Sequence, residues 1–229
     1  MYLSASKIKT FETCKLKYKW QYMDKIYKPM PETEERAFGR YLHRFLELYN
    51  KKNTSEIIKI LDEEINRDII KDEDLIKAIS NAVGFLKRFD DKNLKSEEEK
   101  SVKAYLKNIK LGGKLDKLYR NGNITIIDFK TSKKFYPGFN DLQLKFYALM
   151  MNLSEKVEVG RITNIVYFAR PNKYEEKTFT QQDIDYFKEY ILDVADKMQN
   201  IRNFPPKKNN LCDFCQYKDE CPLFKQEHI

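Results

Sequence analysis

Four cysteines constrain this 229-residue chain more than any other feature. Cys14 stands near the start, and Cys212-x-x-Cys215-x-x-x-x-x-Cys221 stands in the tail; the sequence has no other cysteine. No secretion-type apolar segment accompanies them, so the set reads as a metal site rather than as disulfides. Spacing alone admits either a structural Zn²⁺ or a [4Fe–4S] cluster, since both accept four thiolates, although structural zinc more often draws on two close pairs. Either group would tie the two ends together and close almost the whole chain as one loop. The fold must therefore bring residue 14 beside the tail.

The rest of the composition fits one globular domain over residues 1–229, with the cluster formed by Cys14 and the tail from 205 to 229. Hydrophobic residues make up 41% and charged residues 34%, with 7 Gly and 7 Pro, which excludes a disordered or collagen-like chain. No run approaches ~18 apolar residues, and the first residues lack a signal-peptide core, so a soluble, cytoplasmic protein with no membrane partner is expected. Lys plus Arg number 43 against 35 acids, a net charge of +8. That surplus suits a polyanion partner; the plainer explanation is a Lys-, Ile- and Asn-rich proteome.

Periodicity predicts a first helix from Ser4 to about Asp24, with Ile8, Phe11, Cys14 and Tyr18 on one stripe. After a break at Pro29 and Pro31, helices follow over about Thr33–Lys51, Ser55–Ile70 and Asp72–Phe89. The pattern then becomes β-type over Lys114–Tyr119 and Ile124–Lys130, around a turn at Arg120-Asn121-Gly122-Asn123. A helix over Asn140–Asn152, a strand over Ile162–Ala169 and a long helix from Thr180 to near Asn203 complete the order. Pro205-Pro206 stops that last helix. Helices, hairpin, helix, strand, helix give an α/β domain around a small mixed sheet.

Asp128-x-Lys130 interrupts an otherwise apolar strand of Ile124, Ile126, Ile127 and Phe129, where an unpartnered charge would be costly. Residues two apart on a strand share a face, so the acid and the lysine point the same way. The same acid-x-Lys triplet begins at Asp90, Glu98 and Glu175, so the context carries the weight, and a surface ion pair is the bland alternative. A two-residue turn would set Asp116 opposite Ile127, on the wrong face. A three-residue turn over Arg120 to Gly122 sets Asp116 opposite Ile126, diagonal to Asp128, and is expected with Gly122 in the left-handed region. Two hard carboxylates then suit Mg²⁺ or Mn²⁺, and a neighbouring Lys can orient water or stabilise charge on a phosphate. Gly39-x-x-x-His43-x-x-x-Glu47 and Gln143-x-x-x-Tyr147 each place their residues one helical turn apart.

In this order, Ser4-x-Ser6-x-x-x-x-Phe11-x-x-Cys14, Gly39-x-x-x-His43, Gly113-x-x-Asp116, Asp128-x-Lys130, Gln143-x-x-x-Tyr147 and the cysteine tail through Cys221-Pro222 resemble the PD-(D/E)XK nuclease superfamily. The likeness is to its RecB-like iron–sulfur branch, which includes the nuclease domains of the RecB and AddB helicase–nucleases and the stand-alone exonuclease of CRISPR adaptation. The resemblance implies a restriction-endonuclease-like core whose N- and C-terminal segments are joined by a cluster. It implies that His43, Asp116, Asp128 and the Phe129 carbonyl hold a catalytic Mg²⁺ or Mn²⁺. Lys130 would position water and stabilise the phosphorane, with Gln143 and Tyr147 orienting substrate or Lys130. Cys14, Cys212, Cys215 and Cys221 would bind [4Fe–4S], while Glu47 lies outside the signature and could support the metal ligands from behind.

The chain lacks a Gly-x-x-x-x-Gly-Lys-Ser/Thr phosphate loop and is too short for a helicase module. The implied activity is a metal-dependent deoxyribonuclease, an exonuclease on single-stranded DNA or single-stranded ends, with endonuclease action as a further option. Its setting would be CRISPR adaptation, phage or viral recombination, or DNA repair, with a CRISPR integrase or a helicase as candidate partner. The alternative is a non-catalytic, cluster-bearing DNA-binding subunit. Aromatics interleave with lysines at 15–22 and 130–136, which suits base stacking beside a phosphate track, although most of these rings are expected in the core. Lys133 and Lys134 are the expected phosphate contacts.

Overall fold

The computed structural model describes residues 1–30, 32–65, 68–90, 94–138 and 140–225. Pro31, residues 66 and 67 of the expected third helix and Lys92 of the triplet that begins at Asp90 lie outside that description.

A six-stranded mixed sheet is covered by helices on both faces, as the sequence pattern predicts. β2 (Ser96–Leu106) runs antiparallel along nearly the whole length of β3 (Ile109–Arg120). The other side of β3 is shared: β1 (Tyr2–Leu3) pairs in parallel at Lys110 and Leu111, and β4 (Ile124–Lys130) pairs antiparallel from Lys117 to Arg120. β5 (Ile162–Phe168) follows in parallel beside β4, and β6 (Lys173–Thr178) forms the far edge. Alternation sorts the side chains. Ile124 and Ile126 enter one core with α1 (Ala5–Thr13), α6 (Asp141–Glu155) and α7 (Gln181–Asn200). Ile127 and Phe129 enter the other, with α3 (Glu34–Leu48), α4 (Thr54–Glu64) and α5 (Asp72–Asp90). The β4–α6–β5 crossover between parallel strands is what sets α6 against the sheet.

Four features differ from the sequence expectation, and one is that the helix expected over Ser55–Ile70 ends at Glu64, where Ile65 turns extended (φ −134°, ψ 129°). The first helix is broken at Cys14, whose backbone is extended (φ −159°, ψ 114°). Cys14 ends α1 and starts α2 (Lys15–Tyr18), its Sγ accepting the Lys17 N–H at 3.5 Å, before a π-helical turn over Lys19–Met23. A sulfur that caps one helix is pulled off the apolar stripe on which a continuous helix would place it. The β3–β4 turn has three residues, but they are Asn121, Gly122 and Asn123, since Arg120 already pairs with Ile124. Gly122 adopts φ +84°, as expected for a bulged turn. Asn121 explains the shift, because its Oδ1 and N–H close the turn onto Asn123. Finally, β1, β2 and β6 went unforeseen, one because it has two residues and the others because they are dominated by charge.

Candidate active site

β3 and β4 separate at the last pair of their ladder, Lys117↔Ile127. At the next position Asp116 faces Asp128, and the Asp116 Oδ2 takes the Phe129 N–H at 2.8 Å in place of a ladder bond. The corrected register thus sets the two carboxylates opposite one another rather than diagonal. The even-residue face predicted for both is preserved, because the offset is two residues.

Asp128 is buried, and Lys130 Nζ lies 2.5 Å from its Oδ2. Gln143, one turn into α6, joins them: its Nε2 donates to Asp128 Oδ1 at 2.9 Å and its Oε1 accepts from Lys130 at 3.1 Å. The same Nε2 donates to the Tyr147 hydroxyl at 2.6 Å, and Tyr147 donates to the Lys114 carbonyl at 3.2 Å. This network fixes the lysine head group. α6 reaches it because residue 113 is glycine; a Cβ there would stand 2.8 Å from Met150 Cε and 3.4 Å from Tyr147 Cε1.

Burial pushes the Asp128 carboxyl up to about 6, with Lys130 opposing and the Asp116 charge reinforcing the rise. The buried Asp128 Oδ2 has the Lys130 ammonium beside it but no aligned hydrogen bond, an arrangement that suits a carboxylate oxygen to a cation. Burial and the Asp128 charge hold the Tyr147 phenol protonated, well above its ordinary value. His43 comes from α3 and puts Nδ1 3.5 Å from Asp116 Oδ2. Burial works against its imidazolium, but the hydrogen bond and charge of Asp116, with Asp128 and Glu99, outweigh that and raise its pKa. Ligand atoms of His43, Asp116 and Glu99 all lie within 4.8 Å of one another, a donor set of imidazole and carboxylates that suits a divalent ion. Glu47 turns to Arg44 at 2.8 Å.

Two site residues were missed in the sequence. Glu99 belongs to the unforeseen β2, so nothing placed it beside Asp116. Lys9 on α1 lies near Lys130; burial lowers its pKa and the Lys130 charge lowers it further. A groove of about 510 Å³ runs beside Gln143 and Tyr147, walled by Ser4, Ser6, Lys9, Gly112 and Asn140. Of the expected phosphate contacts, Lys133 pairs with Glu35 at 3.0 Å on the surface and Lys134 is exposed. The interleaved aromatics are mostly packed: Tyr18 is buried, Trp20 lies against Tyr217 and Phe135 against Phe168, with Tyr136 exposed.

All four cysteines are unpaired, half-buried and line one cavity of about 220 Å³. Backbone N–H groups approach two of the sulfurs, Lys17 at Cys14 and Asn209 at Cys212 (3.3 Å). Lys9, Lys17, Lys207 and Lys218 also line the cavity.

The superfamily profile of PD-(D/E)XK nucleases matches residues 2–222, almost the whole chain. The chain belongs to the PD-(D/E)XK nuclease superfamily. The fold agrees: a crystal structure of a candidate exonuclease from Eubacterium rectale superposes with a TM-score of 0.59 at 13% identity, covering 100% of this chain and 88% of that one. The protein SSO0001 gives 0.49 at 14% identity, over 97% of this chain and 86% of its own. No curated protein matches the chain. Among the described residues no helix is long and apolar enough to cross a membrane.

Proposed function

We propose that this nuclease is a divalent-metal-dependent deoxyribonuclease that degrades single-stranded DNA from its ends and carries a [4Fe–4S] cluster of the RecB-like branch in its single domain. The observation that carries the reading is the Lys130–Asp128–Gln143–Tyr147 network set beside His43 and Asp116 in the fork of the sheet.

His43, Asp116, Asp128 and the Phe129 carbonyl would hold Mg²⁺ or Mn²⁺. The ion would supply a Lewis acid that neutralises charge at phosphorus and lowers the pKa of a water. The protein's own part is positional. Gln143 and Asp128 each take one donor of the Lys130 ammonium, which leaves one to meet a water or a non-bridging phosphate oxygen. Tyr147, kept protonated, holds the Gln143 amide in the orientation that presents its oxygen to Lys130. Lys9 adds a second cation where a scissile phosphate would gather charge. The groove walled by Ser6, Lys9 and Gly112 leads to this point and suits one strand.

Two observations support a cluster over zinc. The cysteines line a cavity of about 220 Å³ rather than closing on a single point, and among the described residues no three cysteine sulfurs lie within 4.8 Å of one another. A tetrahedral zinc with bonds of about 2.3 Å would hold its sulfurs roughly 3.8 Å apart. The amide N–H groups aimed at Cys14 and Cys212 are of the kind that tune cluster sulfurs.

The deciding experiment offers end-labelled linear and circular single-stranded DNA to anaerobically purified protein, with Mn²⁺ or EDTA. Asp128→Ala is run in parallel. Metal- and Asp128-dependent loss of the linear form alone, by a brown protein, is expected. Cutting of circles overturns the end-dependent reading, and a colourless active protein overturns the cluster.

A further inference from the structure

We infer that Glu99 is a further ligand of the divalent ion, joining His43 and Asp116. The inference rests on the nuclease reading and adds to its ligand set.

The ladder between β2 and β3 supplies the placement. Glu98 pairs with Lys117 and Lys100 with Leu115, so Glu99 and Asp116 face one another between those pairs. Asp128 faces Asp116 from the other side. Glu99, Asp116 and Asp128 therefore form a row across three adjacent strands, with His43 lowered onto it from α3. The nearest ligand atoms of His43, Glu99 and Asp116 are mutually within 4.8 Å. An ion with bonds of about 2.1 Å spans ligand separations of roughly 3–4.2 Å, so small side-chain adjustments close the set.

Asp128 is engaged differently. Gln143 holds one of its oxygens and Lys130 Nζ lies 2.5 Å from the other, so its carboxylate is shared between the lysine and the ion. Its buried Oδ2 has the Lys130 ammonium beside it but no aligned hydrogen bond, so it can also face an ion. Glu99, by contrast, pairs with Lys114, an exposed side chain able to swing away.

The backbone at Glu99 points the same way. Its φ is +52°, in the left-handed region, although it lies inside a strand. The other non-glycine residues with positive φ fall outside the strands: Lys107 between β2 and β3, Asn172 between β5 and β6, Lys156 at the end of α6, and Lys25 beyond the π-helical turn. A residue forced from the β region in mid-strand is strained, and such strain persists where a side chain must be aimed.

The test titrates the full chain with Mn²⁺ and follows free Mn²⁺ by electron paramagnetic resonance, with thermal melts in EDTA to verify folding. Glu99→Gln is expected to bind Mn²⁺ at least ~10-fold more weakly than wild type, or to lose one bound ion. Asp128→Asn is expected to retain an ion, and Lys114→Met to bind as wild type or tighter. Glu99→Asp, one methylene shorter, serves if the glutamine variant melts early, and is expected to weaken binding as well. Wild-type affinity and stoichiometry in a folded Glu99 variant overturn the inference alone. A wild-type protein that neither binds Mn²⁺ nor degrades DNA overturns the nuclease reading with it.

Discussion

Lys130 and Asp128 hold one another through Gln143, so the three side chains act as a unit rather than as separate contributors. Lys130→Ala is expected to lower the rate of DNA cleavage by about 10²–10⁴-fold, the range for one positioned charge or proton-handling group. Gln143→Ala should cost less, on the order of 10–100-fold, because it loosens the lysine without removing it. The Lys130→Ala, Gln143→Ala double variant should then fall little below Lys130→Ala, measured on end-labelled DNA. Asp128 also makes a pH prediction for the metal-free protein. Its carboxyl is pushed up to about 6 in the fold, chiefly by burial, against an ordinary value of 3.8. The folded state binds that proton more tightly than the unfolded chain, so the stability it contributes is full below about pH 4 and is lost as pH rises through about 6. Urea melts in EDTA should show wild type losing on the order of 1–3 kcal/mol relative to Asp128→Asn between those values. Parallel pH profiles for the two proteins would sink the idea.

At the scale of elements, the site depends on how closely α6 approaches β3. Gly113 permits that approach, and Met150 lies fully buried against it. Gly113→Ala should destabilise the protein by about 1–3 kcal/mol, the cost of overpacking, and should displace Tyr147 from the Lys114 carbonyl. Met150→Ala removes the obstructing methyl, so the double variant should be less destabilised than the sum of the two single changes, as read from denaturant midpoints. Much of this frame was legible in the sequence. The apolar alternation of β4 and the amphipathic helices gave elements within a few residues, and strand parity placed Asp116 and Asp128 on one face. The exact register was not legible, because Asn121-Gly122-Asn123 closes the turn through an asparagine side chain that moves it by one residue. β2 was hidden because its first half, Ser96 to Lys100, is nearly all charge and only Val102, Ala104 and Leu106 alternate inward. Its charges are not solvated decoration. Glu98 pairs with the buried Lys117 at 3.2 Å, and Glu99 looks onto Asp116. A strand that carries the site's own acids cannot also display the hydrophobic pattern by which strands are found.

Over the whole molecule, the two ends meet on contacts of two kinds. Tyr217 is buried, packs on Trp20 and donates to the Ile26 carbonyl at 2.8 Å, so the tail is docked by ordinary packing. The cysteine cavity adds Cys14 to Cys212, Cys215 and Cys221 in the same region. If one group needs all four cysteines to stay bound, losing any one releases the group and opens the long loop it closes. Cys14→Ser and Cys221→Ser should therefore lower the melting temperature by similar amounts although they lie at opposite ends of the chain. The double variant should add little, because the closure is already gone. Limited proteolysis should then find the tail after Pro206, while Tyr217 keeps it docked well enough for the sheet to stay folded. Additive melting losses would mean that the cysteines stabilise the ends separately. In that case the tie between the termini would be the work of Tyr217, and Tyr217→Ala would be the variant that frees the tail.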